Sequence, residues 1–271
     1  MRPRLAINRT VAPGLPLPEF IALASGAGVE GVEIRDDVPG CELADGTPVA
    51  EIRARIEDAG LAVASINALQ RFNDWTRERE DEAAALAARA RDLGAPGIVL
   101  CPVIDETAGW TEAEAADRLA AGLRGLAPIL GDAGVIGYVE PLGMKGSTMN
   151  RQAQAVAAMR EIGDAAPFQL CYDTFQFFRR GDDRLYSEHV GLVHVSGITR
   201  NDLAPGDLTE PDRGLVGEVD RVGNLAQLAA LPDYAGFVSI EPFDPAVQSD
   251  PDLAARLAES CALLRAGLDR E

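Results

Sequence analysis

Short apolar runs alternate with longer amphipathic stretches from one end of this chain to the other. The runs are rich in β-branched and aromatic residues and are bounded by Gly or Pro, the pattern of strands buried on both faces. They predict strands at Leu5–Asn8, Gly31–Arg35, Leu61–Asn67, Pro96–Cys101, Val135–Glu140, Phe168–Asp173, Gly191–Ser196 and Gly236–Glu241. Helical periodicity predicts helices near Pro18–Gly26, Val49–Ala59, Arg77–Leu93, Thr111–Leu130 and Arg151–Ile162, a short one after Asp183, and two more near Asn224–Leu231 and Asp250–Leu268. The Thr and second Glu of Thr-Glu-Ala-Glu, from Thr111, fit a capping box. The longest non-periodic segment, Gly197–Asp220, is long enough to be a functional element rather than a plain connection.

Eight strand–helix pairs are the count of a (β/α)8 barrel. One such barrel takes about 250 residues, close to the 271 present, so the α/β class and a single TIM barrel over residues 1–271 are expected. A doubly wound open sheet competes, but it gathers its ligand at one switch point. Here polar chemistry recurs at many strand ends. Between Gly137 and Phe243, four apolar runs carry Glu140, Asp173, His194 and Glu241 at or near their C-terminal ends. Burying such a group without a partner is costly. Four of them on successive strands converge only if the strands lie side by side with their C-termini at one face, where barrel active sites form.

Three carboxylates and one imidazole make a hard, oxygen-rich donor set. It suits Mn²⁺ or Mg²⁺, with Co²⁺ or Zn²⁺ as alternatives, better than it suits a structural zinc, which favours Cys and His. Rim salt bridges are the competing account of any single carboxylate; the recurrence strand after strand favours the metal. The chain has two histidines, and His189 precedes the seventh strand at a helix-terminal or surface position.

Composition narrows the classes. The apolar fraction is 47%, the net charge −18 and the isoelectric point about 4.5. Such acidity argues against a broad nucleic-acid or anionic-membrane surface. Cys41, Cys101, Cys171 and Cys261 are far apart and form no Cys-x-x-Cys pair, which fits a reduced, cytoplasmic protein without a disulfide framework. No signal-peptide core or membrane-length apolar run is present in the sequence.

Four segments then carry a resemblance: Val139–Gly143 (Val-Glu-Pro-Leu-Gly), Tyr172–Phe175 (Tyr-Asp-Thr-Phe), His194–Arg200 (His-Val-Ser-Gly-Ile-Thr-Arg) and Ser239–Phe243 (Ser-Ile-Glu-Pro-Phe). The chain resembles the xylose isomerase-like TIM-barrel superfamily of sugar isomerases and epimerases. Ile66–Trp75 and Asp212–Asp220 are similar to its keto-inositol (inosose) isomerase branch. The resemblance implies one divalent cation held by Glu140, Asp173, His194 and Glu241, and a substrate-binding arginine six residues after the histidine, at Arg200. It also implies that Glu140 and Glu241 carry protons on opposite sides of a polyhydroxy ketone, through a metal-bound enediolate. Many relatives have a His after Asp-Thr-Phe where this chain has Gln176, which can position by hydrogen bonding but cannot titrate near neutrality.

Around these residues several side chains have two readings. Lys145 can neutralise an enediolate or simply be a solvated loop lysine. Asn8 and Asn67 can bind substrate hydroxyls or cap the following turns, and Glu33 can orient such groups. Phe72 and Trp75 can form a lid over the sugar ring or pack against the barrel rim. The expected partner is a small polyol or ketose, with neither nucleic acid nor membrane, and barrels of this kind often form homo-oligomers. Alternatives are an inosose dehydratase, a ketose 3-epimerase, an endonuclease IV-like nuclease, disfavoured by charge and histidine count, and a non-catalytic binding protein.

Overall fold

The computed structural model describes residues 2–38 and 40–269. Eight parallel strands close into one barrel: β1 (Arg4–Asn8), β2 (Gly31–Arg35), β3 (Ala62–Leu69), β4 (Gly97–Leu100), β5 (Ile136–Val139), β6 (Phe168–Asp173), β7 (Val190–Val195) and, after a small rim pair, β10 (Phe237–Ile240). The rim pair, β8 (Gly197–Ile198) and β9 (Arg213–Gly214), is antiparallel and lies within the long segment after β7. Around the barrel run α1 (Leu17–Gly26), α2 (Val49–Asp58), α3 (Arg77–Leu93), α4 (Glu112–Ala133), α5 (Gln152–Ile162), α6 (Thr174–Arg180), α7 (Asn224–Ala229), α8 (Pro245–Gln248) and α9 (Leu253–Leu268). The fold is the single (β/α)8 barrel that the alternation predicts.

Two hydrophobic layers hold it. The larger lies between barrel and helices, where Leu5, Ile7, Val32, Ile34, Leu170, Val193, Val238 and Ile240 meet apolar helix faces such as Phe20, Ile52, Leu123 and Leu257. A smaller cluster of Ala6, Ala64, Val99, Tyr138, Cys171, Leu192 and Phe237 comes from the alternate strand positions and fills the lumen. Arg4 stacks over the Phe237 ring at 3.9 Å, a cation–π contact at the N-terminal end of β10.

Strand alternation then sets the mouth. Residues two apart on a strand share a face, so Tyr138 and Glu140, Cys171 and Asp173, Leu192 and His194, and Phe237, Ser239 and Glu241 line up in pairs or rows on the inner side. The register places Asn8 beside Glu33, Asp173 beside His194, and Ser239 beside His194. Glycine permits one close approach here: a Cβ on Gly143 would collide with the backbone oxygen of Gln176.

One predicted element is displaced. The short helix expected after Asp183 is instead α6, which begins directly after Asp173; beyond it only a 3-10 turn, Ser187–His189, precedes β7. The cause is a cap: Asp173 Oδ1 accepts the backbone N–H groups of Phe175 and Gln176 at 2.8 and 2.9 Å. Gly181, at φ 64°, ends the helix in the left-handed conformation. The capping box at Thr111 forms as predicted, with Glu114 answering the Thr111 N–H.

Candidate metal centre at the barrel mouth

Glu140, Asp173, His194 and Glu241 converge. One ligand-capable atom from each lies within 4.8 Å of all the others, and all four side chains are buried. His194 Nδ1 stands 3.1 Å from Glu140 Oε1 and 3.3 Å from Glu241 Oε2. The other ring nitrogen, Nε2, is 3.0 Å from Glu33, whose carboxylate also accepts from Asn8 Nδ2 at 3.0 Å and from the Ser65 hydroxyl. Glu33 therefore ties up Nε2 and leaves Nδ1 facing the carboxylates of Glu140 and Glu241. A metal-binding histidine is ordinarily oriented by such an outer carboxylate. The donor set is hard, mixed oxygen and nitrogen, and fits a divalent cation.

Two arginines temper the negative charge. Arg213, fully buried, donates through Nη2 to Asp173 Oδ2 at 2.6 Å and Glu241 Oε2 at 3.0 Å, through Nη1 to Glu210 at 2.8 Å, and through Nε to Ser196 at 3.1 Å. Arg35 Nη1 donates to Glu241 Oε1 at 3.0 Å, while its other nitrogens clasp Asp37. Glu241 also accepts from Asn8 and Asn67, each at 3.2 Å, giving it four amide or guanidinium donors. Glu140 is barer, touching His194 and, at 3.5 Å, the Cys101 thiol.

These surroundings pull the carboxylates apart. Burial raises the Glu140 and Asp173 carboxyls above their ordinary range, and the opposing pull of His194 on Glu140, and of Arg213 on Asp173, does not cancel it. Glu241 suffers the same burial, but His194, Arg213 and Arg35 outweigh it and hold its carboxyl well below the usual range. Glu33 is likewise lowered, burial being outweighed mainly by His194. His194 is raised: burial opposes its charge, but Cys171, Glu241 and Glu33 around the ring overcome that cost.

The remaining sequence-predicted residues divide. Asn8 and Asn67 reach the cluster, and Asn8 also caps the following turn by accepting the Thr10 N–H. Gln176 is buried at the rim, where Oε1 accepts from Gly143 N–H at 2.8 Å and from Arg179, and Nε2 donates to Glu210 at 3.2 Å. Arg200 is not brought in: its side chain is 53% exposed and clasps Asp202. Lys145 is 76% exposed, with Asp207 at 3.9 Å. Phe72 is core, and the Trp75 ring packs where a side chain on Gly125 of α4 would otherwise sit.

Sequence reasoning missed Arg35, Arg213 and Cys171 as neighbours of the cluster. Two carried a signal, since Arg35 follows Glu33, and Cys171 precedes Asp173, by the two-residue step that keeps a side chain on one strand face. Arg213 carried none beyond lying in the Asp212–Asp220 stretch.

The family model described as Xylose isomerase-like TIM barrel matches residues 21–266. Among curated protein sequences there is no match. A xylose isomerase domain containing protein from Salmonella typhimurium LT2 is 28% identical, with TM-score 0.85 and 97% of each chain covered. The IolI protein, solved with a binding zinc atom, is 19% identical, with TM-score 0.86 over 98% of this chain and 100% of its own. D-psicose 3-epimerase from Clostridium cellulolyticum H10 is 16% identical, with TM-score 0.75 over 98% and 100%. No helix among the described residues is long and apolar enough to cross a membrane.

Proposed function

Because the chain belongs to the xylose isomerase-like TIM barrel family, we propose that it is a divalent-cation-dependent isomerase or epimerase of a small polyhydroxy ketone, with keto-inositols the first substrates to try. The observation that carries this reading is the closure of Glu140, Asp173, His194 and Glu241 into one ligand-sized cluster at the C-terminal face of the barrel. These four residues would hold the cation. Mn²⁺ or Mg²⁺ suits them best, and the zinc in the IolI neighbour keeps zinc among the candidates. When bound, the cation supplies Lewis acidity for a carbonyl and charge stabilisation for an enediolate.

The residues of the chain do the rest. Glu140, with few partners, takes the proton from the carbon next to the carbonyl; the electrons of that C–H bond become the carbon–carbon double bond of the enediolate. Return of a proton to the former carbonyl carbon, with the proton of the adjacent hydroxyl passing to the former carbonyl oxygen, completes an isomerisation; return to the opposite face of the α-carbon completes an epimerisation. Glu241, the other carboxylate beside His194 Nδ1, serves that second delivery. Its four donors make it the weaker base and hold it in place. Asn8 and Asn67 present amides suited to ring or chain hydroxyls. Arg213, rather than the outlying Arg200, is the arginine placed to hold a substrate oxygen, because it is already at the ligand carboxylates.

The test is a panel of inososes, ketoses and their phosphates incubated with metal-loaded protein in heavy water and followed by NMR. Conversion with deuterium at the α-carbon is expected. Glu140→Gln should bind substrate but lose exchange, since the amide keeps hydrogen bonding and cannot act as a base. Neither conversion nor exchange across the panel would end the proposal. A product that has lost water would replace it with a dehydratase.

A further inference from the structure

We infer that Glu210 is the positioning residue for Arg213: its carboxylate, gripped also by Arg179, sets the guanidinium so that one N–H of Nη1 is left to meet a substrate oxygen. The inference rests on the reading of the mouth as the site of an isomerase or epimerase. It deepens that reading by naming what aims the arginine.

A guanidinium carries five N–H donors in one plane. In Arg213, Nε donates to Ser196 at 3.1 Å, and Nη2 donates to Asp173 at 2.6 Å and to Glu241 at 3.0 Å. Nη1 donates to Glu210 Oε2 at 2.8 Å, which leaves its second N–H without an acceptor among the described residues. Asp173 and Glu241 are also the proposed ligands of the cation. Glu210 is thus the charged acceptor of Arg213 outside the ligand set, and it holds the nitrogen that carries the spare donor. The centres of the Phe175 and Phe243 rings lie 5.0 and 4.9 Å from Arg213 Cζ and restrain the same plane.

Glu210 is itself held. Its Oε1 accepts from Arg179 Nη2 at 2.8 Å and from Gln176 Nε2 at 3.2 Å, so the carboxylate spans two arginines with one oxygen for each. Arg179 is buried and donates through Nη1 to the Leu208 carbonyl at 3.3 Å, and Leu208 packs with Phe175 and Val222. Asp212 caps the turn that carries Glu210, accepting the Thr209 N–H at 2.8 Å. A carboxylate bridged in this way cannot follow a swing of Arg213 without releasing Arg179. An ion pair that merely fastened the rim would act independently of what Arg213 does for the rate, and a double-mutant cycle separates the two roles.

The experiment measures α-proton exchange of the ketone that wild type converts, with metal-loaded wild type, Glu210→Gln, Arg213→Ala and the double variant. In Glu210→Gln one of the two arginines meets an NH2 in place of an acceptor. That variant should slow exchange by about 10- to 100-fold. Added to Arg213→Ala, the same change should slow exchange less than about twofold further. Glu210→Asp, which keeps the charge one methylene short, should lose less, and it supplies the cycle should the glutamine variant not fold. Side-chain ¹⁵N spectra give a readout independent of turnover. The Arg213 Nε–H signal, assigned by its absence in Arg213→Ala, should exchange with water roughly tenfold faster or more in Glu210→Gln. Additive losses in the cycle, a rate within about twofold of wild type in Glu210→Gln, or an unchanged Arg213 signal would each overturn the positioning role and leave the proposed function standing. A wild type that exchanges no ketone would end the proposed function, and the Arg213 signal would then decide the positioning alone.

Discussion

Replacing Glu33 with Gln is the most informative single change outside the ligand set. Glu33 is fully buried, and both its oxygens are used: the carboxylate faces His194 Nε2 at 3.0 Å and accepts from Asn8 at 3.0 Å and from Ser65. A glutamine fits the same space. Its NH2 would turn toward Ser65, whose hydroxyl can rotate to accept, and its oxygen would keep the Asn8 and His194 contacts. What disappears is the charge. The bond from His194 ceases to be charge-assisted, which costs on the order of 1–2 kcal/mol of orientation and basicity at the ligand nitrogen. Loss of an outer-sphere carboxylate of this kind typically lowers metal affinity about 10- to 100-fold, or about 1.4–2.7 kcal/mol. Calorimetric titration with Mn²⁺ reads that number directly. Histidine ¹⁵N spectra of Mg²⁺-loaded protein supply a second readout, simplified because the chain has two histidines. In wild type, His194 should carry its proton on Nε2 with Nδ1 bound. An affinity for Mn²⁺ within about twofold of wild type in a folded Glu33→Gln protein would refute the reasoning.

Three other substitutions probe function and stability. Arg213→Ala should slow α-proton exchange by about 10²-fold or more, because it removes a buried cation at two ligand carboxylates. Arg200→Ala should change that exchange less than about threefold, as expected of an exposed pair with Asp202; equal losses would contradict the assignment. Asp36 is pushed up to about 6 by burial and by neighbouring Asp37. The unfolded chain gives up this proton near the ordinary carboxylate range and the folded chain near 6, so stability falls as pH rises between those values and stays level above. Asp36→Asn should therefore stabilise the protein by roughly 1–3 kcal/mol at pH 8 and by much less near pH 4, read as denaturant midpoints. An equal gain at both pH values would contradict the sign.

The barrel was legible because a parallel strand buried on both faces leaves an unmistakable apolar run, and the polar residues closing those runs stand out against it. Once strands lie side by side, period two carries Asn8, Glu33, Glu140, Asp173, His194 and Glu241 to one inner face without further information. The arginine was harder to read. The family resemblance points to Arg200 as a substrate-binding arginine; the arginine that the structure brings to the ligand carboxylates is Arg213, because the chain makes two 3-10 turns and folds back, so that Arg213 pairs with Ile198 in the β8–β9 ladder. Sequence distance along a loop says little about where the loop ends. The helix after Asp173 was hidden for a different reason: its start is set by one side-chain cap on a residue that reads equally well as a ligand. Trp75 has the composition of a lid, yet the missing side chain of Gly125 opens a slot for its ring against α4.

The central claim is a single cation held by four named side chains. Calorimetry with Mn²⁺, with elemental analysis of the dialysed protein, measures it on wild type, Asp173→Ala and His194→Ala. The account predicts one site per chain in wild type and no measurable site in either variant, with both variants still folded. Binding that persists unchanged in both variants, or a wild-type protein that takes up none of Mn²⁺, Mg²⁺, Co²⁺ and Zn²⁺, would contradict it.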